Sequence, residues 1–270
     1  MAEISHMLRK YGLFLLLLPI LSWAEPTLDD PCASLLAVLN RPTVADSVCV
    51  VKPWKFIAEM GVQYENTYPK EGHLMNLPEA QLRFGLPGSN ELTLLPPTFL
   101  DVFGSDGAAQ SGYTATVLGW KHQFPNVAKF SYSAESIFTL PSGSDAVGSD
   151  GLGFAANGII NYSFTDIFSV AMMLGYTTET TSTNSGGDRY SSVNPDVVFT
   201  AQTSQDLQFY AEFYGQSKTA PDGSFGFNAD AGVQYLVGKN IEVDLEYGQR
   251  LSGQLGGFAQ YIGTGAGLRF

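Results

Sequence analysis

The stretch Asn240-Ile241-Glu242-Val243-Asp244-Leu245-Glu246-Tyr247 alternates apolar and acidic residues without a break. Successive side chains of a β-strand point to opposite faces, so the apolar residues share one face and the three carboxylates share the other. Carboxylates without partners cannot be packed into the dry core between two sheets, because their desolvation costs too much free energy. This stretch therefore predicts a strand with one apolar face and one face that meets water.

The same period of two recurs along most of the chain. It predicts strands at 56–65, 78–86, 91–98, 112–124, 128–140, 151–163, 167–178, 192–203, 206–216, 225–237, 240–250 and 258–270. Many of these segments reach the length of about 9–11 residues that a tilted strand needs to cross a bilayer. Strands of soluble proteins are shorter, typically about 5–6 residues. Strand length therefore favours a membrane-spanning sheet.

The predicted connections alternate in length. Short turns are predicted at 86–90, 125–127, 163–166, 203–205 and 238–239, and long polar loops at 66–77, 99–111, 141–150, 179–191, 217–224 and 251–257. Short periplasmic turns that alternate with long external loops are typical of outer-membrane barrels. The sequence thus predicts an all-β fold, a transmembrane antiparallel up-and-down β-barrel of about 12 strands over residues 56–270. A secreted β-sandwich remains the alternative.

The N-terminus has the features of an export signal. Arg9 and Lys10 precede the apolar run 12–21, and small residues end at position 24, so residues 1–24 are expected to be cleaved before Glu25. A membrane anchor would need about 20 apolar residues, which is longer than this run. We therefore expect a signal peptide and localisation to the outer membrane of a Gram-negative cell.

Phe270 ends the chain on an alternating strand. A terminal aromatic residue in this setting resembles the C-terminal signal that the barrel-assembly machinery reads. The expected partners are therefore this machinery, outer-membrane lipid, lipopolysaccharide and a small solute.

Two cysteines, Cys32 and Cys49, lie in a segment before the first strand. An oxidising periplasm favours a disulfide between them, and two free thiols are the alternative. Residues 25–55 are expected to form a short periplasmic N-terminal extension.

Several functions are disfavoured by composition. The net charge of −12 argues against nucleic-acid binding, which needs a basic surface. Beyond the signal peptide the only histidines are His73 and His122, and no Gly-x-Ser-x-Gly motif accompanies them. Asp145 and Asp150 are better explained by a flexible loop than by a calcium site. We therefore predict no catalytic residue, no metal site and no cofactor.

The polar faces of the predicted strands would line the barrel interior. The principal candidates are Glu59, Glu79, Arg83, Glu135, Glu212, Asp230, Glu242, Asp244, Glu246, Arg250 and Arg269, and further candidates are Gln63, Gln81, Lys121, Lys129, Asn157, Asn161, Asp196, Gln208, Tyr210, Asn228 and Gln234. Acids outnumber bases in this set, which would favour cations over anions. The arginines are expected to pair with carboxylates. The set could form either a narrow polar path or a salt-bridged filling of the barrel.

Several stretches carry a resemblance to a known family. They are 60–65, 77–86, 140–144, 232–236 with 241–246, and 267–270. The chain resembles, over roughly 56–270, the outer-membrane family named after the meta-pathway of phenol degradation. The resemblance implies a twelve-stranded type of barrel and the uptake of small hydrophobic or aromatic compounds. The predicted function is a passive channel or transporter for small solutes. Alternatives are a closed structural or adhesive barrel that acts through its external loops, and a lipid-modifying enzyme.

Overall fold

The computed structural model describes residues 31–104 and 109–270, so the predicted signal peptide lies outside the described residues. Within them fifteen strands form one antiparallel sheet, and the last strand pairs with the first, which closes the sheet. The strands are β1 (Phe56–Thr67), β2 (Gly72–Leu77), β3 (Gln81–Leu86), β4 (Asn90–Leu95), β5 (Phe99–Gly104), β6 (Ala109–Tyr113), β7 (Val117–Val127), β8 (Phe130–Thr139), β9 (Gly153–Ser163), β10 (Phe168–Thr180), β11 (Arg189–Gln202), β12 (Leu207–Gln216), β13 (Gly226–Gly238), β14 (Ile241–Ser252) and β15 (Phe258–Arg269).

Six of these strands are halves of interrupted barrel strands. β2 and β3 both pair with β1, at successive positions along it. On their other side, β2 pairs with β5 and β3 pairs with β4. β6 pairs with β5 and β7 pairs with β4 in the same way. The described residues therefore form a closed barrel of twelve strands, which confirms the predicted fold class.

Two predicted loops are wrong. The range 66–77 contains β2, and the range 99–111 contains β5 and the start of β6. Proline cannot donate to a sheet ladder, so the prolines at 78 and 96–97 indicate strand ends when the sequence is read locally. In the structure they only interrupt the ladder, which resumes beyond them. The predicted turn at 125–127 also belongs to a strand, β7, and the chain reverses at Ala128, whose φ is 52°.

The two faces of the barrel wall differ as the alternation predicts. On β14, the side chains of Ile241, Val243, Leu245 and Tyr247 are 40–50% exposed, whereas the intervening acids are almost fully buried. The exposed outer face is thus apolar and the acids point inward, which is the arrangement of a barrel surrounded by lipid. The described helices include none that is long and apolar enough to cross a membrane.

The barrel interior is occupied by part of the chain itself. Residues 31–53, which we call the N-terminal segment, contain helix α1 (Leu35–Val38), whose first turn is capped by the Ser34 side chain. The segment packs against Ile57 of β1 and Ile159 of β9 in one apolar cluster. Contacts to two separated strands place the segment inside the barrel.

A disulfide closes this segment into a loop. Cys32 and Cys49 are bonded, with their Cα atoms 5.6 Å apart, which confirms the predicted pairing. The loop spans a sequence separation of 17 residues. A cross-link of this size lowers the conformational entropy of the unfolded state, which stabilises the folded state by about 3 kcal/mol.

Candidate functional site

The N-terminal segment is attached to the wall chiefly through Arg83 of β3. The Arg83 guanidinium donates to both oxygens of Glu91, at 2.7 and 3.0 Å, and to Glu59 at 3.0 Å. It also donates to the carbonyl oxygens of Val38 and Cys49, at 2.5 and 3.2 Å. All three charged side chains are fully buried. One arginine therefore joins three wall strands to both arms of the disulfide loop.

The wall carboxylates also hold the main chain of the segment. The second oxygen of Glu59 accepts the backbone N–H groups of Asn40 and Arg41, at 2.9 and 2.7 Å. Across the barrel, Glu212 accepts those of Val44 and Ala45, at 2.9 and 2.7 Å.

Glu91 likewise accepts the N–H of Val51 at 2.7 Å. These charge-assisted hydrogen bonds stabilise the negative charge of the buried carboxylates where arginine and lysine side chains do not pair with every oxygen.

Arg41 is a charged side chain of the segment that reaches carboxylates of the wall. Its guanidinium lies 2.7 Å from Glu79, 3.3 Å from Asp244 and 3.5 Å from Glu246. Burial lowers the pKa of Arg41, but the three carboxylates, Asp244 most strongly, raise it further, so its pKa lies above the ordinary value. Arg41 therefore stays charged and fixes the segment to β14.

Glycines make room for this arginine. A Cβ atom at Gly265 would lie 2.4 Å from Arg41 Nε, and one at Gly61 would lie 2.5 Å from Arg41 Cζ. Both distances are shorter than real contacts allow. A side chain at either position would therefore displace the Arg41 guanidinium from its place between the wall strands.

Lys121 of β7 holds the far end of the loop. Its Nζ donates to the carbonyl oxygen of Ser47 at 3.1 Å and lies 3.9 Å from Glu135. Glu135 also accepts from Asn157 at 3.2 Å. Gln234 of β13 donates to the carbonyl oxygen of Arg41 at 2.8 Å. Together with Arg83 and the carboxylates, these anchors lie on β1, β3, β4, β7 and β12–β14.

The interior is open beside β8–β13. A cleft of about 650 Å³ lies between the N-terminal segment and the inner face of β8–β13. We call it the lumen cleft. Its walls are Leu35, Leu36, Ala37 and Val48 of the segment and Ser131, Asn161, Ala171, Val198, Thr200, Gln208, Tyr210 and Leu236 of the barrel. The turns at 165–166, 205–206 and 238–239 surround its mouth. These are short turns, which places the mouth at the periplasmic end.

At the other end of the barrel, aromatic side chains fill the interior. Tyr214, Phe258 and Tyr261 form a buried cluster, and the Tyr261 hydroxyl donates to Asp230 at 2.8 Å. The Arg250 guanidinium lies over the ring of Tyr68, 3.7 Å from its centroid. Aromatic side chains therefore occupy part of the interior at this end.

The predicted lumen residues fall into three groups. Those that contact the segment are Glu59, Glu79, Gln81, Arg83, Glu135, Glu212, Gln234, Asp244 and Glu246, together with Lys121. Those buried on the inner face without a described hydrogen bond to the segment include Asp196, Asn228, Asp230 and Glu242. Arg250 and Arg269 lie near the two ends, where they donate to carbonyl oxygens of Gly253 and of Lys239, and Arg269 also donates to the carbonyl oxygen of Ala33 at 3.5 Å.

Three positions differ from the sequence prediction. Lys129 does not line the interior, since it lies in the exposed β7–β8 turn and donates to the carbonyl oxygen of Phe164. Glu91 is an inward anchor that the prediction missed, although Glu91 and Thr93 alternate with exposed Leu92 and could have been assigned to the inner face. No periodic pattern marks Arg41, which lies outside the strands.

The histidines do not approach each other in a site. His73 stacks on Tyr64 and Phe103, and the ring of His122 packs against Trp120 and Phe124. These aromatic neighbours belong to the exposed outer face. In the described part of the chain no three His, Cys, Asp or Glu side chains are arranged to hold a metal ion.

Solved structures share this fold. The COG4313 outer membrane channel from Pseudomonas putida F1 is similar over 84% of this chain and 100% of its own, with a TM-score of 0.66 and 13% identity. The NanC porin is similar over 79% of this chain and 98% of its own, with a TM-score of 0.54 and 9% identity. The KdgM porin is similar over 78% and 99%, with a TM-score of 0.52 and 14% identity. At such identities the likeness concerns the fold alone.

No curated protein sequence matches the chain. A family model described as "Putative MetA-pathway of phenol degradation" matches residues 53–270, which include the whole barrel. The residues that carried the resemblance, from β1 to the last strand, all lie within this match. The chain therefore belongs to the family of the putative MetA-pathway of phenol degradation.

Proposed function

We propose that the chain is a passive outer-membrane channel for small solutes, and that the lumen cleft beside the N-terminal segment forms the periplasmic part of their path. The observation that carries this proposal is the uneven filling of the barrel. One side is packed solid around Arg83, Glu59, Glu91 and Lys121, each with no solvent exposure. The other side keeps a cleft of about 650 Å³. Barrels of intermediate size hold either a filled core or a path, and here both occur side by side.

The similar proteins support a channel. Structures with this fold include two porins and an outer membrane channel by name. The family description points to small hydrophobic or aromatic compounds as solutes. One of the similar structures is a porin in complex with a disordered oligogalacturonate, so the proposal extends to solutes that carry polar groups.

Export and membrane assembly belong to the same proposal. Cleavage of residues 1–24, insertion by the barrel-assembly machinery through Phe270, and contact with lipopolysaccharide follow from a location in the outer membrane. Membrane fractionation and N-terminal sequencing of the mature chain test this. A mature chain that begins at Glu25 and sediments with the outer membrane is the expected result.

Conductance in planar bilayers tests the channel. The purified mature protein should give small, steady currents, and Arg41→Ala should raise them because it releases the segment from Asp244 and Glu79. Arg189→Ala is the control, because this exposed arginine bonds at the external end, far from the segment in the fold. A correctly folded barrel that stays silent in all three forms contradicts the proposal and favours the closed structural or adhesive barrel.

We propose no enzymatic role. His73 and His122, the histidines among the described residues, lie among the aromatic residues of the outer face and not in the lumen cleft. A triad in the lumen would therefore lack its usual base. Lipase activity that disappears in His73→Ala or His122→Ala would overturn this view.

A further inference from the structure

We propose that the lumen cleft is a binding site for an uncharged, amphiphilic small molecule with hydroxyl or amide groups on an apolar body. This inference deepens the proposed function, on which it rests for its role in passage. The volume of the lumen cleft, about 650 Å³, lies within the range of about 300–1,000 Å³ that small-molecule sites occupy.

The positions of the charged residues in the cleft indicate that its ligand is uncharged. The charged lining residues lie at the mouth, where they are Asp166, Asp206, Lys239 and Arg269, or at the inner end, where they are Arg41 and Asp46. The Arg41 guanidinium is already bound by carboxylates of the wall. Between the two ends the lining is neutral. A charged solute would lose its hydration there without compensation.

The two walls of the cleft differ in polarity. The segment contributes an apolar wall, which includes Leu36, Ala37 and Val48. The barrel contributes amide and hydroxyl groups, among them Asn161 and Thr200, next to Ala171 and Val198. A molecule held between these walls needs an apolar side and polar groups on the other side.

The ring of Tyr210 closes the inner end of the cleft. Tyr210 is 5% exposed and lines the cleft, and its ring packs with Ala45 and Val198. Its hydroxyl is itself buried and lies beside Gly232 of β13, out of contact with the open space of the cleft. The ring therefore offers an apolar contact for the body of a bound molecule.

Calorimetric titration of the purified mature protein tests the proposal with two matched probes. Para-nitrophenyl β-glucoside is neutral, and para-nitrophenyl β-glucuronide differs by one carboxylate. We expect the glucoside to bind and the glucuronide to bind at least about tenfold more weakly, because its charge enters the neutral middle of the cleft. Equal binding of the two probes, or no binding of the glucoside, overturns the proposal.

Variants on one strand locate the binding. Thr200→Trp fills the cleft, and Phe199→Trp places the same side chain on the neighbouring, outward position, which is 51% exposed. Affinity for the glucoside should fall at least about tenfold in Thr200→Trp only, since the ring would occupy the ligand's space. Ala171→Phe on β10 repeats the test if Thr200→Trp fails the gel-mobility check for a folded barrel. Unchanged affinity in a folded cleft variant places the binding elsewhere and refutes the site.

The same preparations separate this inference from the channel itself. Glucoside binding without bilayer conductance would support the binding site and contradict the channel. Conductance without glucoside binding would support the channel and contradict the binding site.

Discussion

Replacement of Arg83 by methionine should destabilise the barrel strongly, because it leaves two buried carboxylates without their cation. The substitution keeps an unbranched chain of similar length but removes every donor. Glu91 loses two hydrogen bonds and Glu59 loses one, and the carbonyl oxygens of Val38 and Cys49 lose their donor. Both carboxylates stay fully buried.

The magnitude follows from what remains after the substitution. Removal of one partner from a buried ion pair costs about 3–5 kcal/mol, because the other charge is left uncompensated. Glu59 would keep the N–H groups of Asn40 and Arg41, and Glu91 would keep that of Val51. We therefore expect a loss near the lower end, about 3 kcal/mol, in the free energy of unfolding.

Urea unfolding in lipid vesicles measures this loss, with the fluorescence of Trp54 and Trp120 as reporters. The triple variant that adds Glu59→Gln and Glu91→Gln removes the uncompensated charges and should regain at least about 1 kcal/mol. Arg250→Met is the control, since this half-buried arginine contributes a cation–π contact and one hydrogen bond to the Gly253 carbonyl oxygen, and no carboxylate is among its described partners; its loss should cost no more than about 2 kcal/mol. The reasoning is refuted if Arg83→Met unfolds like the control, or if the triple variant is no more stable than the single one.

Three further changes test the segment and the wall. Cys32→Ser with Cys49→Ser should lower the unfolding free energy by about 3 kcal/mol, measured by urea in vesicles, and unchanged stability would mean that the disulfide contributes little beyond the wall contacts. Gly61→Val should expel Arg41, because the three atoms nearest to its Cβ would all belong to the Arg41 guanidinium, with Cζ at 2.5 Å; raised bilayer conductance at normal gel mobility is expected, and wild-type currents would contradict the packing. Leu245→Arg on the outer face should cost about 2–4 kcal/mol in vesicles if lipid surrounds that position, whereas no cost would mean that water does.

The barrel could be predicted from the sequence because the alternation alone decides which face of each strand is buried. A shift of one residue in β14 would turn Leu245 inward and Glu246 into lipid. Only one register of strand pairing is therefore compatible with the alternation. The interrupted strands could not be predicted in the same way. The prolines at 78 and 96–97 look like strand ends locally, and only the neighbouring ladder shows that the strands continue.

The attachment of the N-terminal segment left almost no signal in the sequence. Glu59 and Glu212 are held by main-chain N–H groups of residues 40–41 and 44–45, and every residue type except proline offers such a group. Arg83 was expected to pair with carboxylates, but its two carbonyl partners follow only from the fold. Side-chain patterns therefore predicted the wall of the site and not what fills it.

One pattern did indicate that something packs against the inner wall. On β15 the inward positions 263, 265 and 267 are all glycine, and a Cβ atom at Gly267 would lie 2.6 Å from a methyl carbon of Leu39. Glycine weakens a strand unless a close approach requires it. Gly265 and Gly267 thus make room for the segment, a second layer inside the barrel, whereas Gly263 makes room for the side chain of Glu246.

This second layer changes what the acidic interior implies for ion selectivity. A count of charges gives a surplus of carboxylates and predicts a preference for cations. The count omits the backbone N–H groups of the segment, whose partial positive charges face Glu59, Glu91 and Glu212. Those three carboxylates are engaged in holding the segment and are fully buried. Because these three carboxylates do not line the lumen cleft, which is neutral in its middle, the selectivity of the pore should follow the cleft and not the total charge of the barrel interior.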